Sequence, residues 1–307
     1  MTVLDRYVKF YSKLVNIKGV HRNVLSPLRI ATRTLARKRI DRYFKNTPID
    51  CKGRQSDIIV SFTSFPGRIA HVYMVVNCLL RQTVLPKKII LWLSKNQFSG
   101  IELPENLTAL TGDIFEIRFV EGDIRSHKKY HYVLQEYPQD RIMLVDDDLF
   151  YPSDMIEDML NAAEQYPDRV ICRYGSVAQY SEGKILPYND WWNEVAGTSA
   201  DQNFFFGSGG GVLFRKDLLH EDVTNIDYAL KMTPIADDVW LNAMVNLAGT
   251  KKYKTAFGLL MQTQADQSTR LTSQNVGNNA NDVQIAAVCE HYAKEGLQPF
   301  YDRNNEA

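Results

Sequence analysis

The stretch Arg141–Pro152, RIMLVDDDLFYP, contains the feature that decides the fold. An apolar run leads straight into three carboxylates, Asp146, Asp147 and Asp148, and a second apolar run follows at once. Like charges this close together repel, and burying them without a partner is costly. A strand that ends in this way is typical of a ligand site at the edge of a sheet.

Apolar runs alternate with helical patterns on both sides of this stretch. Runs typical of strands cover 58–60, 87–94, 114–123, 141–149 and 169–175, and helical spacing covers 70–83, 127–137 and 154–166. Strands that are continuously apolar indicate a parallel sheet covered by helices on both faces. The pattern predicts an α/β fold of this kind, and ligands bind such sheets outside the carboxyl ends of the strands.

The charge of the chain is divided unevenly. The 307 residues are 45% hydrophobic and 23% charged, which is ordinary for a globular protein with a sizeable core. Residues 1–56 hold 14 Lys and Arg against 3 Asp and Glu, a net charge of +11, and the remainder holds 22 against 33, a net charge of −11. We therefore expect a basic helical extension over 1–55 and one acidic domain over 56–307. The acidic body argues against binding to nucleic acid.

The basic extension has two interpretations, which the sequence leaves open. Apolar residues recur at helical spacing over 1–47, with a second helix expected from Ser26 and Pro27. The helices either pack on the body with a solvated basic face or adsorb to an anionic membrane surface. No apolar run reaches the roughly 18 residues that span a bilayer, and the first residues lack a signal-peptide core. With four cysteines and no CxxC pair, we expect reduced thiols and a cytosolic location at the inner face of the cell membrane.

The three aspartates suggest a metal site. Side chains alternate along a strand, so Asp146 and Asp148 are expected on one face and Asp147 on the other. A divalent cation removes the repulsion between two carboxylates, and hard oxygen ligands suit Mg²⁺ or Mn²⁺ completed by phosphate oxygens and water. The alternative is an Asp-rich turn that caps the next helix, although Ser153 and Asp154 are already placed to cap it.

Four blocks together carry a family resemblance. They are SFTSFPGRI (61–69), the Asp-x-Asp of 146–148, GSGGGVLFRK (207–216) and ADDVWL (236–241). With these blocks in this order, residues 56–260 resemble the nucleotide-sugar glycosyltransferases of the GT-A fold. The resemblance is strongest to the family-2-like bacterial enzymes that build capsular or lipopolysaccharide glycans. It implies a Rossmann-like, mostly parallel sheet, with the extension outside the core fold.

The resemblance also implies a donor site. The residues that would hold the nucleotide-sugar are Thr63, Ser64, Pro66 and Arg68 at the nucleobase and diphosphate, Asp123 at the base and ribose, Lys128 and Lys129 at the diphosphate, Asp146 and Asp147 of the acidic triplet, and Gly209 and Gly210 under the donor sugar. Asp146 and Asp148 match the metal ligands of the family, with Asp148 as the expected direct ligand.

Two departures from the family pattern affect the chemistry. The family places its general base at the Asp of a Glu-Asp pair; Asp238 matches that Asp and Asp237 replaces the Glu, so either carboxylate could be the base. Simple capping of the following helix is the alternative for both. Many relatives also supply a histidine to the metal from the C-terminal segment, and this chain has none just after the segment TAFGLLMQTQ (255–264). Gln262, Gln264, Asp266 or water would take that place.

Aromatic and basic side chains extend the predicted site. Trp191 and Trp192 lie in a polar loop, where we expect one ring to stack on an acceptor sugar and the other to anchor the loop. His127 beside Lys128 either serves the phosphates or is a surface histidine.

These features predict a hexosyltransferase-type glycosyltransferase that uses Mn²⁺ or Mg²⁺ and a UDP-sugar. Its acceptor would be a glycan or a lipid-linked glycan of cell-surface polysaccharide, and the base suggests inversion. One rival is a sugar nucleotidyltransferase, which usually has a glycine-rich basic loop after its first strand. Another is a non-enzymatic membrane-surface protein, which would leave the acidic clusters unexplained.

Overall fold

The computed structural model describes residues 2–15, 26–51, 53–191, 203–255, 261–263 and 279–303. The helices are α1 Val3–Val15, α2 Ser26–Asn46, α3 Val72–Leu79, α4 Glu105–Thr108, α5 Lys128–Glu136, α6 Met155–Gln165, α7 Ile226–Met232, α8 Asp237–Leu247 and α9 Ala280–Ala293. The strands are β1 Arg54–Gln55, β2 Ile58–Thr63, β3 Val84–Leu85, β4 Lys88–Ser94, β5 Phe115–Val120, β6 Arg141–Leu144, β7 Leu149–Phe150, β8 Arg169–Cys172, β9 Gly175–Val177, β10 Tyr180–Ser181, β11 Lys184–Ile185, β12 Phe204–Phe206, β13 Val212–Phe214, β14 Lys251–Lys254 and β15 Met261–Gln262.

Seven of the described strands form one central sheet in the order β14-β8-β13-β6-β2-β4-β5. The pairs β2–β4, β2–β6, β4–β5 and β8–β14 are parallel. Only β13 runs antiparallel to its neighbours β6 and β8. The predicted α/β fold with a mostly parallel sheet is confirmed.

The sheet is buried on both faces. In β2 the side chains of Ile58, Val60 and Phe62 enter one hydrophobic core, and Ile59 enters the other. The first core contains residues of α1, α2, α3 and α6, and the second contains residues of α5, α7, α8 and α9. Because both faces are covered, alternate residues of a strand are equally apolar, which explains the continuous apolar runs.

The acidic triplet lies in a turn rather than in a strand. Strand β6 ends at Leu144, and Asp146, Asp147 and Asp148 precede the short strand β7, which pairs with β15. Strand alternation therefore does not orient the three side chains. Asp147 is nevertheless the inward one, and its charge is compensated there by Arg68.

The antiparallel strand was not predicted. The sequence indicated only a glycine-rich segment over 207–216, whereas Val212–Phe214 pairs with both β6 and β8 in the middle of the sheet. The strand is only three residues long, which is too short for its alternation to stand out. Its reversed direction brings the preceding glycines to the edge where the parallel strands end.

The extension shares the core of the body. Leu4 and Val8 of α1, and Ala36, Ile40 and Phe44 of α2, are buried in the same cluster as the side chains of β2. The described part of 1–55 therefore packs as part of the main domain, and the boundary at residue 55 does not separate two cores. None of the described helices is long and apolar enough to cross a membrane.

A buried carboxylate fastens α1 to the body. Asp5 accepts hydrogen bonds from the backbone N–H and the hydroxyl of Ser153, both at 2.9 Å. Ser153 is thus engaged with α1. Asp154 occupies the N-cap position of α6 without a side-chain cap and pairs with Lys9 at 3.3 Å. The two residues therefore do not cap α6 as the sequence suggested.

We expect Ile40→Ala to lower the free energy of unfolding by about 2 to 5 kcal/mol, because it opens a cavity in a core. Ile40 is fully buried, and Leu35 on the same helix is 48% exposed. Leu35→Ala is the control and should change the stability by no more than about 0.5 kcal/mol. Urea unfolding of both variants measures the difference. Equal, small losses would show that α2 is not part of the core.

Candidate active site

A cavity of about 510 Å³ opens where the parallel strands end. Its walls come from the loops after β2 and β5, the start of α5, the acidic turn and the start of α8. The lining residues are Thr63, Ser64, Phe65, Arg68, Gln97, Asp123, Arg125, Ser126, Lys128, Lys129, Asp146, Asp147, Asp148, Leu149, Ser208, Ile235, Asp237, Asp238 and Gln262. Most of the predicted donor-site residues therefore meet at one place.

The middle aspartate of the triplet is held by the loop after β2. Asp147 accepts hydrogen bonds from the Ser64 hydroxyl at 2.5 Å and from the Arg68 guanidinium at 2.8 Å. Burial raises the pKa of Asp147, and the charge of Arg68 opposes that rise. Burial lowers the pKa of Arg68, but the Asp147 and Asp148 carboxylates outweigh it, so the net pKa is raised. This buried pair joins two of the cavity walls.

Lys129 is the central cation of the cavity. Its ammonium lies 2.5 Å from Asp146, 3.3 Å from the Ser208 hydroxyl and 3.4 Å from Asp237. Burial lowers its pKa, but the charges of Asp146, Asp237 and Asp238 raise it by more, so Lys129 stays protonated. One ammonium therefore bridges the acidic triplet and the second acidic pair.

The second acidic pair is divided by its surroundings. Asp237 accepts from the Ser208 hydroxyl at 2.9 Å, and Asp238 accepts from the Ser208 backbone N–H at 2.7 Å. Burial raises the pKa of Asp237, but Lys129 and His127 lower it by more than burial raises it. The net pKa is therefore below its ordinary value. Burial and the neighbouring charge of Asp237 raise the pKa of Asp238 to about 7. The surroundings thus lower the pKa of one carboxylate of the pair and raise that of the other.

Neither member of this pair caps α8. The N-cap position is Ala236, and no side chain caps the helix there. Both carboxylates turn towards Ser208, which favours a role in the cavity over capping.

The glycine segment packs behind the cavity. A Cβ atom on Gly209 would lie 1.8 Å from Oδ2 of Asp146, and one on Gly210 would lie 2.4 Å from Cβ of Tyr174. Gly211 has a φ of +105°. Gly209 and Gly210 do not line the cavity; they let the segment approach the acidic turn closely, so their predicted contact with the donor sugar stays a prediction.

Another polar cluster lies at the loop after β5. Asp123 accepts from the Lys128 ammonium and, at 2.7 Å, from the Gln97 side chain. Burial lowers the pKa of Lys128, and Asp123 opposes that shift. Both residues line the cavity as the sequence predicted.

Asp146 and Asp148 provide a partial donor set for a divalent cation. Both line the cavity, and burial together with the charges of Asp146 and Asp147 raises the pKa of Asp148 to about 7. Within the described ranges, no three His, Cys, Asp or Glu side chains converge on one metal position. Two carboxylates fit Mg²⁺ or Mn²⁺ when substrate oxygens and water complete the shell. Gln262 lines the cavity, and Gln264 and Asp266 lie outside the described residues.

Several predicted residues are placed differently. Pro66 is in the loop after β2 but does not line the cavity. Trp191 is 2% exposed, donates to the Leu186 carbonyl at 2.8 Å and packs on Phe205. It anchors its loop and has no ring face free for a sugar, whereas Trp192 lies outside the described residues.

His127 is neither a surface histidine nor a phosphate ligand. It is fully buried, with its ring nitrogens 2.7 Å from the Tyr130 hydroxyl and 2.7 Å from the Thr233 carbonyl oxygen. Burial lowers its pKa. The imidazole has no ring nitrogen left for a ligand.

Sequence reasoning missed two residues that connect the walls. Ser208 links Lys129 to both members of the second acidic pair. The Tyr151 hydroxyl accepts from the Asp146 backbone N–H at 2.7 Å and donates to the Gly209 carbonyl at 2.6 Å. In the sequence, Ser208 is a serine inside the glycine run and Tyr151 belongs to an aromatic pair after the acidic triplet. Neither pattern by itself indicates a site residue.

No family model matches this chain. No curated protein matches it either. Among solved structures it is similar to S. aureus TarS 1–349, with a TM-score of 0.42 and 15% identity over 67% of this chain and 59% of that chain. The structure of TarS 1–349 in complex with UDP has a TM-score of 0.40 and 14% sequence identity, over 66% of this chain and 59% of that chain. The structure of an apo UDP-glucose pyrophosphorylase has a TM-score of 0.39 and 9% sequence identity, over 80% of this chain and all of that chain. The chain thus spans about three-fifths of the TarS length that it matches. A likeness of this size does not indicate which reaction the chain performs.

We expect Asp147→Ala to lower the free energy of unfolding by about 3 to 5 kcal/mol, because it leaves Arg68 as a buried charge without its main partner. Asp148→Ala is the matched control. It should leave the stability unchanged or raise it, since it removes a repelled carboxylate and keeps the Arg68–Asp147 pair.

The control also has a pH dependence. The raised pKa of Asp148 makes its ionised form unfavourable in the folded protein, so its destabilising effect grows as the pH rises from about 4 to about 7. Any gain from Asp148→Ala should therefore be larger at pH 8 than at pH 5. Denaturant unfolding at both pH values measures it. Equal losses of unfolding free energy in Asp147→Ala and Asp148→Ala would show that the two aspartates do not differ in their contribution to stability.

Proposed function

We propose that this chain is a metal-dependent glycosyltransferase of the hexosyltransferase type. It would move a sugar from a UDP-sugar to a glycan or lipid-linked glycan in cell-surface polysaccharide synthesis, such as a capsule. The observation that supports this most is that two carboxylate pairs, Asp146 with Asp148 and Asp237 with Asp238, face one cavity and are bridged by Lys129. Such a cavity can serve a leaving group and an attacking hydroxyl at the same time.

The leaving-group side is formed by the acidic turn and its cations. Asp146 and Asp148 would hold Mn²⁺ or Mg²⁺, which supplies Lewis-acid neutralisation of charge on the departing diphosphate when bound. Arg68 and Lys129 hold positive charge at fixed positions in the same wall, where preorganised charge stabilises a leaving group most effectively. In this proposal Thr63, Asp123 and Lys128 contact the nucleotide.

The acceptor side has one suitable base. Asp238 has a pKa near the working pH of an intracellular enzyme, which is the favoured condition for a general base. The Ser208 N–H fixes its Oδ1, leaving Oδ2 to take the proton from an acceptor hydroxyl. Asp237 is the weaker base, because Lys129 and Ser208 stabilise its ionised carboxylate and contribute to its lowered pKa. A base on the acceptor side supports direct displacement with inversion.

The nucleotidyltransferase alternative has less support. The loop after β2 has one glycine and one basic residue, Gly67 and Arg68, where that class usually has a glycine-rich basic loop. That chemistry also has no evident use for a carboxylate that titrates near neutrality on the opposite wall.

We expect Asp238→Asn to lower kcat by about 10² to 10⁴ while leaving the KM for the donor nearly unchanged, because only proton acceptance is lost. The pKa of Asp238 is raised to about 7. Since the base must be ionised, the wild-type rate should rise with pH and reach half of its plateau near pH 7, and this limb should disappear in the variant. Steady-state kinetics across pH 5 to 9 provide the measurement.

Asp237→Asn is the comparison for this experiment. It removes a partner of Lys129 and should retain the pH limb even if the rate falls. If the limb disappears in Asp237→Asn and persists in Asp238→Asn, the two roles are reversed. If neither variant slows transfer, the proposed base is wrong.

We expect Asp148→Asn to reduce the affinity for UDP with Mn²⁺ by at least tenfold and to leave weak metal-free UDP binding unchanged, because the amide is a poorer ligand for a hard cation. Calorimetry with and without Mn²⁺ measures both quantities. Asp154→Asn, an exposed position outside the cavity, is the control. Equal Mn²⁺-dependent binding in both variants would place the metal elsewhere. Formation of UDP-sugar from UTP and a sugar 1-phosphate would instead favour the nucleotidyltransferase.

A further inference from the structure

The outer face of α1 is basic. Leu4 and Val8 point into the core, and the opposite side of the helix carries exposed Arg6, Lys9 and Lys13, with Phe10 beside them at 48% exposure. Residues three and four apart share a helix face, so these side chains form one surface. The apolar side of α1 packs against the body. Packing does not account for the basic side, which faces solvent.

The outer face of α2 repeats this combination. Lys38, Arg39 and Arg42 are exposed opposite the buried stripe, and Leu28 and Leu35 lie among them at 45% and 48% exposure. The spacing of seven from residue 28 to 35 and from 35 to 42 keeps them on one side of the helix. We call these outward residues of α1 and α2 together the basic face.

The acidic residues of the two helices do not neutralise this surface, although Lys9 pairs with Asp154 of the body at 3.3 Å. Residues 1–47 contain 12 Lys and Arg against only Asp5 and Asp41. Asp5 is buried against Ser153, and Asp41 accepts hydrogen bonds from Tyr73 at 2.5 Å and from Lys45 at 2.8 Å. The basic face therefore presents positive charge and bulky apolar side chains together.

We propose that the basic face is a docking surface for an anionic lipid bilayer. Lys and Arg meet the anionic headgroups, and the apolar side chains enter the headgroup boundary, as in interfacial helices. Each basic residue close to such a surface strengthens binding about fivefold. Charge complementarity would thus hold the chain at the membrane without a spanning segment.

The observations favour a bilayer over a nucleic acid. A polyanion offers the basic side chains phosphates but gives Phe10, Leu28 and Leu35 no apolar phase to enter. The remainder of the chain carries a net charge of −11, which repels a long polyanion that extends beyond the two helices. A bilayer accommodates both kinds of side chain on one flat surface.

The placement of the two helices relates the basic face to the cavity. Arg37 of α2 donates to the Gln262 carbonyl at 3.0 Å, and Gln262 lines the cavity. Lys9 of α1 pairs with Asp154, a few residues beyond the acidic turn. A bilayer bound to these helices would therefore lie beside the rim of the cavity, where an acceptor anchored in lipid would reach it. This last consequence depends on the proposed function; the docking itself does not.

Flotation of the full chain with vesicles tests the docking. The chain should float with phosphatidylcholine vesicles that contain 40% phosphatidylglycerol, and not with pure phosphatidylcholine vesicles. Binding should fall steeply between about 0.1 M and 1 M salt, because the Debye length shrinks from about 10 Å to about 3 Å.

Two charge-reversed variants give the decisive comparison, because they change the net charge by the same amount at exposed positions. The face variant is Lys38→Glu, Arg39→Glu and Arg42→Glu; the control variant is Lys184→Glu, Lys251→Glu and Lys294→Glu. The face variant should lose at least tenfold in vesicle affinity and the control less than threefold. Both should keep the wild-type melting temperature within a few degrees, since all six side chains are on the surface.

A third variant tests the apolar contribution. Leu28→Ser with Leu35→Ser keeps every charge and should still weaken vesicle binding several-fold. Equal losses in the two charge variants, unchanged binding in the face variant, or no flotation of the wild-type chain would overturn the proposal. So would tighter binding to a 20-base-pair duplex than to vesicles, with no effect of the serine changes on vesicle binding. Vesicle binding does not require transferase activity, so a failure of the proposed reaction would leave this result standing.

Discussion

The ammonium group of Lys129 is the interaction on which the site depends. It is buried between carboxylates that come from distant parts of the chain, Asp146 in the turn after β6 and Asp237 at the start of α8. Without this cation the two acidic regions would repel each other, and the burial of Asp237 strengthens charge interactions there. Lys129 in turn is held at the start of α5 because that helix packs in the second core against the sheet. Packing of α5 on the sheet therefore sets the position of Lys129, and Lys129 holds the two acidic regions together.

The second cation, Arg68, organises the wall formed by the loop after β2 and the acidic turn in the same manner. It pairs with Asp147 and reaches Asp148 at 3.3 Å, so the loop after β2 and the acidic turn are fixed together. The cavity contains more carboxylates than these two cations neutralise. The excess appears in Asp148 and Asp238, whose pKa values are both raised to about 7. The structure thus retains unneutralised charge at two positions, one on each side of the space that a substrate would fill.

The sequence predicted the fold well and the site in part. Continuous apolar strands predicted the parallel sheet and placed the acidic triplet at the edge where such strands end. The family resemblance implied Thr63 and Asp123 as further site residues. The partnerships inside the site were not predictable in this way. The Asp147–Arg68 pair depends on contact between segments 79 residues apart, and Lys129 joins Asp146, 17 residues away, to Asp237, 108 residues away.

The remaining misses have a common physical origin. Local sequence did not tell which of Trp191 and Trp192 anchors the loop, because the burial of Trp191 depends on packing against Phe205 of β12. His127 looked accessible beside two lysines, yet the Thr233 carbonyl oxygen lies beside its ring. Local sequence reports what a side chain can do, and tertiary packing determines which of those options it takes.

Strand β13 has a consequence for the dynamics of the site. It lies between β6 and β8 in the interior of the sheet, and the residues just before it include Ser208, Gly209 and Gly210. Amide protons at the centre of a sheet exchange with solvent only through large openings, whereas those of surface loops exchange freely. The wall that carries Ser208 is thus continuous with the slowest-exchanging part of the fold. The entropy lost in ordering this wall is included in the folding of the chain, so little of it is left to oppose the binding of a substrate.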